Sequence, residues 1–403
     1  MGRLLRIAML SIHSSPLGRL GSADTGGMSI YLLELASEIG KRGHLVDIFT
    51  RHTAQGWMQV LEYAPNVRII SLTVEGTENL VRSALLGHLH RFCAAIDNFK
   101  RREGSSYDLI HSNYWLSGVV GEQLKVLWCC PHVITFHTLA AVKMAALKGH
   151  TEDRNRISEE TRLLRCCDGV IVPTAEEGQY LASILTGESA PLHHIPWGVN
   201  MDHFTTGDPA VAKIKIAGLD SKPLLLFVGR FDPMKGIDLA LRSVCHLVNT
   251  TEIHLALIGG DGPESPSSRS IEQLANDLGF SDRVHMLGPV EHSQMVLYYQ
   301  KADAVVVSSR YESFGLVILE ALASGTPVAS TAVGIASYVI LPGINGYLAA
   351  PGDDRSLAEA ISNALALADL QDAEIIRQSV SDFTWSKVAT IMLDAYNGTL
   401  ANT

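Results

Sequence analysis

At 403 residues, the chain exceeds the size that one hydrophobic core usually serves, so two domains are expected. Its 47% hydrophobic and 18% charged residues are typical of a globular protein, and a net charge of −10 argues against nucleic acid or an anionic membrane as main partner. No hydrophobic run reaches transmembrane length, and the six cysteines lack CxxC metal spacing. The N-terminal stretch resembles a β-strand more than a signal peptide. We therefore expect a cytoplasmic protein without a transmembrane segment.

The first half of the chain predicts alternating strands and helices. Strands are predicted at residues 6–12, 46–50, 67–72, 109–112, 133–136, 170–173 and 194–196. Helical segments separate them, and this alternation indicates an open parallel sheet.

A diglycine, Gly26-Gly27, precedes the first predicted helix. The helix has one apolar face, formed by residues 28, 31, 32, 35, 36 and 39, and Gly43 ends it. The loop is not GxGxxG and no acid closes the second strand, which disfavours a nicotinamide dinucleotide site. The backbone N–H groups could approach a phosphate or a sugar, or the glycines could simply allow a tight helix entry.

Two predicted strand ends carry polar clusters, HSNYW at 111–115 and FHT at 136–138. Because ligands of open α/β sheets bind at the carboxyl ends of strands, we expect His137 in a ligand site, the alternative being local capping or packing. The charged stretch at 150–161 is interpreted as a solvated helix face unless Arg156 points inward.

The turn-rich segment at 196–209 is interpreted as a linker, after which the alternation restarts. Further strands are predicted at 224–228, 254–258, 284–287, 304–307 and 328–330. Two halves of similar size and rhythm predict two doubly wound domains, 1–200 and 201–381. A last segment, 382–403, holds a helix at 382–396 that packs back on the body.

Arg230 and Lys235 lie in the turn that follows the strand at 224–228. Two cations at a strand's carboxyl end suit a diphosphate and the charge that develops on a departing one. The alternative is two ordinary surface cations. A glycine-rich IGGDG turn ends the next strand and allows another close approach of the backbone.

Glu312 and Glu320 flank the start of a helix predicted to begin near Phe314, after the strand at 304–307. The backbone N–H groups of Ser313, Phe314 and Gly315 could bind an anion there. The first acid could accept sugar hydroxyls and the second those of a ribose. The alternative is that both acids complement the helix dipole.

Together, the GGM loop, HSNYWLSG, FHTLAAVK, VGRFDPMKG, IGGDG and ESFGLVILEALASGTPV resemble the retaining glycosyltransferases of family four, which have the GT-B fold. The resemblance covers nearly the whole chain. It is strongest to the mycothiol-pathway enzymes, which transfer N-acetylglucosamine from UDP to inositol phosphate. Sucrose-phosphate synthases share much of the pattern but usually carry glutamine where Met28 stands. The resemblance implies two facing Rossmann-like domains with the active site between them.

The resemblance also implies site residues. For the donor it implies Arg230 and Lys235 on the diphosphate, Gly27 on the β-phosphate, Glu320 on the ribose, Val290 at the base, and Glu312 and His137 at the sugar, with Phe314 and Gly315 in the same loop. His137, Arg230, Lys235 and Glu312 are the predicted catalytic residues. For the acceptor it implies His13, Asp24, Arg82, Tyr114 and Thr138. Ser29 and Asn155 depart from the mycothiol enzymes, which carry asparagine and a phosphate-binding arginine there, whereas Arg82 replaces a lysine and keeps its charge.

The predicted function is transfer of a hexosyl group, with retention, from a UDP-linked sugar to a small phosphorylated polyol or sugar. No covalent nucleophile stands out, so attack on the same face is expected, helped by the departing diphosphate. No metal cluster is visible, so no obligatory metal or cofactor is expected, and a homodimer stays open. The alternatives are a sugar-nucleotide epimerase, a phosphorylase, for which no cofactor-bearing lysine environment is found, and a non-catalytic nucleotide-sugar binding protein.

Overall fold

The computed structural model describes residues 3–17, 26–52, 59–78, 80–147, 149–184, 189–207, 223–248, 252–260, 262 and 265–402. These residues form two compact units. Within the described ranges, the first unit takes the chain up to Pro196 together with the segment from Trp385 onward, and the second takes Trp197–Thr384.

The first unit is built on an eight-stranded sheet. Its strands are β1 (Arg6–Ser11), β2 (Leu45–Arg51), β3 (Gln59–Ala64), β4 (Val67–Leu72), β5 (Leu109–Asn113), β6 (His132–Thr135), β7 (Gly169–Val172) and β8 (Leu192–His194). The order is β3-β4-β2-β1-β5-β6-β7-β8, and all neighbours are parallel except β3, which runs antiparallel to β4. The direction of strand order reverses between β1 and β5, which marks the carboxyl ends of these two strands as the expected ligand crevice of this sheet.

Six helices of the first unit connect these strands: α1 (Gly27–Lys41), α2 (Leu89–Arg102), α3 (Trp115–Trp128), α4 (Ala140–Ala146), α5 (Arg154–Cys166) and α6 (Ala175–Ile184). Helix α1 buries Tyr31, Leu32, Leu35, Ala36 and Ile39 on one face, as its apolar periodicity predicts. The chain leaves this helix at Gly43, whose φ of +89° is a left-handed conformation that favours glycine.

The second unit is built on a six-stranded, all-parallel sheet. Its strands are β9 (Leu224–Val228), β10 (His254–Ile258), β11 (Val284–Gly288), β12 (Ala304–Val307), β13 (Val328–Thr331) and β14 (Gly346–Ala349), in the order β11-β10-β9-β12-β13-β14. Its helices are α7 (Ile237–Cys245), α8 (Pro266–Asp277), α9 (Met295–Lys301), α10 (Leu316–Ala323), α11 (Ala336–Val339), α12 (Asp354–Leu370) and α13 (Ala373–Gln378). Here the strand order reverses between β9 and β12, so their carboxyl ends mark the second expected crevice.

The last helix, α14 (Trp385–Ala401), belongs to the first unit. The Trp385 ring packs against Tyr31 of α1, and the Tyr396 hydroxyl lies 2.6 Å from Nδ1 of His111 on β5. Arg42, just after α1, donates to the backbone oxygen of Ser386 at 2.6 Å. These contacts fasten the end of the chain to the first sheet and its first helix.

Several predicted elements are shifted in the structure. The strand predicted at 194–196 lies at Leu192–His194, because its neighbour β7 already ends at Val172. The helix predicted near Phe314 begins at Leu316, because Gly315 has a left-handed φ of +102°. The C-terminal helix predicted at 382–396 spans Trp385–Ala401.

Other segments differ in kind from their prediction. Strands β3 and β14 were not predicted, and β3 is exposed along almost its whole length, so it has no apolar alternation to detect. Residues 197–207 of the predicted linker belong to the second unit, where the Val199 backbone N–H donates to the Phe383 oxygen at 2.7 Å. Within the part of the chain that the structure describes, no helix combines the length and hydropathy needed to cross a membrane.

Candidate functional site

The predicted diphosphate cations follow β9 in the second unit. Lys235 ends a short 3-10 turn, Pro233–Lys235, and the Asp232 carboxylate caps this turn by accepting from the backbone N–H groups of Met234 and Lys235. The chain then passes through Gly236 at φ +63°, where an added Cβ would stand 2.0 Å from the Ser308 backbone oxygen. Glycine therefore allows the turn after β9 to pack directly on the end of β12.

This packing brings Lys235 against Glu312. The Lys235 Nζ lies 2.6 Å from Glu312 Oε1, and the Ser309 hydroxyl donates to the same oxygen at 2.7 Å. Arg230 is about half exposed, and its Nη2 lies 2.9 Å from Asp232 Oδ2. Lys235 and the predicted sugar-side carboxylate therefore meet at the strand-order reversal of the second sheet, and Arg230 lies in the same turn as Lys235, paired with Asp232.

Glu320, the predicted ribose ligand, is buried on α10. Its Oε2 accepts from the Tyr299 hydroxyl at 2.8 Å, and its Oε1 lies 2.7 Å from His292 Nε2. Burial and the Glu320 charge raise the pKa of Tyr299 well above its usual value, so the hydroxyl stays protonated and donates. Val290, the predicted base contact, lies two residues before His292.

The loop before α10 is fixed by its own contacts. The Phe314 ring is buried and packs on Trp197 at a centroid distance of 5.2 Å, while the Phe314 backbone oxygen accepts from Ile335 N–H at 2.7 Å. Gly315 is the N-cap residue of α10. The predicted donor-side residues of this unit thus lie on the carboxyl side of its strands.

His137 follows β6 of the first unit in a left-handed conformation, with φ +61°. Its Nε2 lies 2.8 Å from the Asn113 side-chain oxygen, and Tyr31 packs edge-on against its ring at 5.0 Å. Burial, with smaller effects of His111 and His13, lowers the pKa of His137 well below its usual value, so the ring is neutral at pH 7.

Tyr114, which follows β5, shares the left-handed backbone conformation of His137, with φ +74°. Such conformations are costly for residues other than glycine, and they cluster at functional sites.

Four of the five predicted acceptor residues lie together, with His13, Arg82 and Thr138 grouped around Tyr114. The His13 ring lies 4.3 Å from the Tyr114 ring, and the Arg82 guanidinium lies 5.7 Å from its centroid. Thr138 joins them through Arg156, whose guanidinium lies 5.1 Å from the same centroid. The fifth residue, Asp24, lies outside the described residues.

The electrostatic surroundings of this cluster are positive. Burial, and then the charges of Arg82, Arg51 and Arg156, lower the pKa of His13 to about 3. The His13 side chain is buried, and among the described residues its Nδ1 has no hydrogen-bond partner. A neutral imidazole among three arginines is a setting that favours an anionic ligand.

The interpretation of residues 150–161 as a solvated helix face is wrong at Arg156, which is 4% exposed. Its Nε lies 2.6 Å from Glu160, its Nη1 lies 3.0 Å from Glu152, and its Nη2 donates to the Thr138 backbone oxygen at 2.8 Å. Arg156 therefore holds the predicted acceptor residue Thr138 in place. Asn155 beside it is exposed.

The Glu152 carboxylate also forms hydrogen bonds with Lys143 and His150. Although burial opposes it, hydrogen bonds from Lys143 and His150 and the Arg156 charge lower the pKa of Glu152 to about 2. This carboxylate is therefore ionised at any pH near neutrality, and it compensates the buried guanidinium.

Gly27 is the first residue of α1, directly after the N-cap Gly26. Ser29, which departs from the mycothiol-type pattern, is 2% exposed, and its hydroxyl has no hydrogen-bond partner among the described residues. The start of α1 therefore offers backbone N–H groups and one buried hydroxyl. Within the same described residues, no group of three or more His, Cys, Asp or Glu has the arrangement of a metal site.

Sequence reasoning missed two residues that hold these candidates in place, His292 and Tyr299, and left open whether a third, Arg156, points inward. Arg156 carried a signal, because glutamates stand four residues before and after it in the sequence, at helical ion-pair spacing. His292 and Tyr299 lie 28 and 21 residues from Glu320, and no local pattern connects them with it.

Two family models match the chain. The model for "Glycosyl transferases group 1" matches residues 212–378, and the model for "Glycosyl transferase 4-like domain" matches residues 26–198. Among curated proteins, D-inositol 3-phosphate glycosyltransferase of Xylanimonas cellulosilytica is 36% identical, with 97% of this chain and 96% of the relative covered. The protein of the same name from Mycolicibacterium smegmatis is 35% identical, with 98% and 92% covered.

Solved structures also match nearly the whole chain. Sucrose-phosphate synthase of Thermosynechococcus elongatus has a TM-score of 0.89 and 33% identity, covering 99% of this chain and 100% of that one. An Anabaena protein solved with UDP and glucose has a TM-score of 0.74 and 19% identity, covering 98% and 100%, and it supports the fold alone.

Proposed function

Because this chain belongs to the glycosyltransferases of the GT-B type, we propose that it transfers a hexosyl group, with retention, from a UDP-linked sugar to a small phosphorylated acceptor. The observation that carries the proposal is the meeting of Lys235 with Glu312, beside Arg230, at the strand-order reversal of the second sheet. A diphosphate needs cations and a sugar needs hydroxyl acceptors, and this edge of the sheet offers both.

In the proposed reaction the second unit holds the donor. Lys235 and Arg230 bind the diphosphate and stabilise the charge that grows on it as the glycosidic bond breaks. The departing phosphate oxygen accepts the proton of the attacking hydroxyl, which adds to the same face of an oxocarbenium-like sugar. The neutral His137 ring suits a hydrogen bond to the sugar, because it adds no charge beside a developing cation.

The first unit binds the acceptor in this proposal. Arg82, Tyr114 and Thr138 offer a guanidinium and two hydroxyls to a phosphate. Relatives named for inositol 3-phosphate and for sucrose phosphate support a phosphorylated polyol or sugar as the acceptor class. The mycothiol enzymes carry a phosphate-binding arginine at the position of Asn155. In this proposal Arg156 does not replace that arginine, because its guanidinium already contacts Glu160, Glu152 and Thr138.

The test is a transfer assay. The protein is incubated with UDP-glucose, UDP-galactose or UDP-N-acetylglucosamine and with phosphorylated inositols or hexoses, and released UDP and product mass are measured. We expect UDP release that depends on the acceptor, and NMR of the product should show the donor's anomeric configuration. Inverted product would contradict retention, and epimerised donor without transfer would favour the alternative enzyme class.

Activity is expected to survive excess EDTA. The reason is that two fixed cations, Arg230 and Lys235, supply the positive charge that a diphosphate leaving group requires. UDP release is measured with EDTA, and again after addition of Mg²⁺ or Mn²⁺. Complete loss that either metal restores would contradict metal-independent transfer.

Replacing Glu312 with glutamine is expected to tighten UDP binding while slowing transfer. Glutamine keeps the size of the side chain but releases Lys235 from its carboxylate partner, and an ion pair of this kind corresponds to a change of up to about fivefold in affinity. The dissociation constant of UDP is measured by calorimetry. The matched control is Ser309→Ala, which removes a hydrogen bond to Glu312 but no charge. Unchanged or weaker UDP binding in Glu312→Gln would show that the ion pair does not compete with the diphosphate.

A further inference from the structure

The Glu320 carboxylate is anchored at both of its oxygens. Tyr299 donates to Oε2 at 2.8 Å and His292 Nε2 lies 2.7 Å from Oε1. A carboxylate accepts only, so the His292 tautomer must carry its proton on Nε2. Because a carboxylate oxygen has two lone pairs, each oxygen keeps one acceptor position after these two bonds are made.

His292 is itself held in a fixed position. Its ring packs against Phe204 at 5.4 Å and against His203 at 6.2 Å, and Phe204 also packs on Tyr299 at 5.9 Å. The segment that carries these rings is tied down by Arg377, which donates to the backbone oxygens of Phe204 and Met201. The imidazole therefore has one orientation, set by packing on one side and by Glu320 on the other.

Exposure distinguishes the three side chains. The His292 side chain is 23% exposed, the Glu320 side chain is 6% exposed, and Tyr299 is fully buried. A ligand that reaches Glu320 from solvent therefore meets the edge of the imidazole. His292 also follows the predicted base contact, Val290, by two residues. It thus connects the segment proposed for the base with the carboxylate proposed for the ribose.

We propose that His292 is a positioning residue that makes the donor site selective for ribonucleotides over 2′-deoxyribonucleotides. This inference rests on the proposed function, in which Glu320 binds the ribose. With both oxygens anchored, the remaining lone pairs point in fixed directions and match the two hydroxyls of a ribose. A missing hydroxyl then leaves a buried acceptor without a donor, which is how binding sites reject such analogues.

Without the imidazole, Oε1 would lose its protein donor. The carboxylate torsion is soft, so Glu320 could turn and satisfy that oxygen with water. The ribose would then bind a less organised acceptor, and the absence of its 2′-hydroxyl would cost less. The expected defect is therefore in donor binding and in sugar discrimination, and not in the chemical step.

The experiment measures binding of nucleoside diphosphates by calorimetry. UDP, ADP and GDP are compared first, and the tightest is tested against its 2′-deoxy counterpart. We expect the parent to prefer the ribose form by about tenfold or more. In His292→Ala and His292→Phe, the ribose form should bind about five- to tenfold more weakly, and the preference should fall to about twofold.

Two variants distinguish hydrogen-bond donation by His292 from packing of its ring. His292→Phe keeps an aromatic ring beside Phe204 but has no N–H group, whereas His292→Gln keeps a donor and should retain most of the parent's preference. His246→Ala is the matched control, because it removes another histidine of this unit that faces a carboxylate, Asp354 at 3.4 Å. At saturating donor, kcat of the His292 variants should stay within about threefold of the parent, since uniform binding affects KM alone.

The contradicting outcomes are distinct. A parent-like ribose preference in His292→Phe would overturn the positioning role. A parent that transfers sugar but binds ribose and 2′-deoxyribose forms equally would overturn this inference and leave the proposed function standing. A parent that binds none of the three diphosphates would overturn both.

Discussion

Lys235→Ala is expected to lower kcat/KM at least ~100-fold, the scale of losing one charged contact in the transition state. The Lys235 side chain is about one-quarter exposed, and it is positioned by the capped turn after β9 and by Glu312. Its position is thus set before the donor arrives, although the diphosphate must share the ammonium with Glu312. The measurement is steady-state UDP release at several donor concentrations.

The variant also leaves the Glu312 carboxylate without its cation, which could by itself disturb the loop before α10. Lys235→Ala combined with Glu312→Gln removes that unpaired charge, and it should remain as impaired as the single variant. Lys125→Ala is the matched control, because Lys125 forms a similar half-buried pair with Asp168 at 2.7 Å near the amino end of β7. Near-normal turnover of a folded Lys235→Ala protein would contradict the role of this lysine.

The family and the two-domain parallel architecture were predicted from the sequence and are confirmed. Buried strands such as Val67–Leu72 and Ala304–Val307 are short β-branched runs bounded by turns, so their existence and bounds are visible locally. Strand β3 is an exposed edge, stabilised by pairing with β4, and its sequence lacks the apolar alternation that would reveal it.

The candidate site likewise has features that could be recognised from the sequence and contacts that could not. The turns after β9 and β12 were recognisable because Lys235, Gly236 and Glu312 lie in strand–turn–helix contexts that repeat along the chain. Their roles in binding stay predictions. The contacts that hold the site were not recognisable, because they join residues far apart in sequence, as His292 and Glu320 are, and depend on the packing of the unit.

Arg156 shows how a local pattern can mislead. A run of alternating charges usually lies on a solvated helix face, yet this guanidinium is buried because Glu160, Glu152 and Thr138 satisfy its donors.

The left-handed backbone conformations of Tyr114 and His137 could not be predicted from the sequence either. No glycine marks these positions, so only the folded backbone reveals them.

Arg82→Ala is expected to remove most of the preference for a phosphorylated acceptor. Arg82 follows Val81 at the start of a 3-10 turn, and its guanidinium lies over the Tyr114 ring, where the charges of Arg51 and Arg156 also act on His13. A charge-assisted hydrogen bond to a phosphate corresponds to about ten- to a hundredfold in kcat/KM. The use of inositol 3-phosphate and of inositol, and of each further phosphorylated acceptor found by screening with its dephosphorylated form, is compared in the parent and in the variant.

The comparison needs a control for the loss of positive charge alone. Arg101→Ala serves, because Arg101 is an exposed arginine at the end of α2 that pairs with Asp97. It should leave the phosphate preference unchanged, whereas Arg82→Ala should slow the phosphorylated acceptor and leave the dephosphorylated one almost unaffected. Arg156→Ala should impair both forms, because it releases Thr138 and leaves the buried Glu160 without its cation. Equal use of both forms by the parent would end the phosphate hypothesis, and the positive cluster around Tyr114 would then have to recognise a neutral sugar or polyol through its hydroxyls.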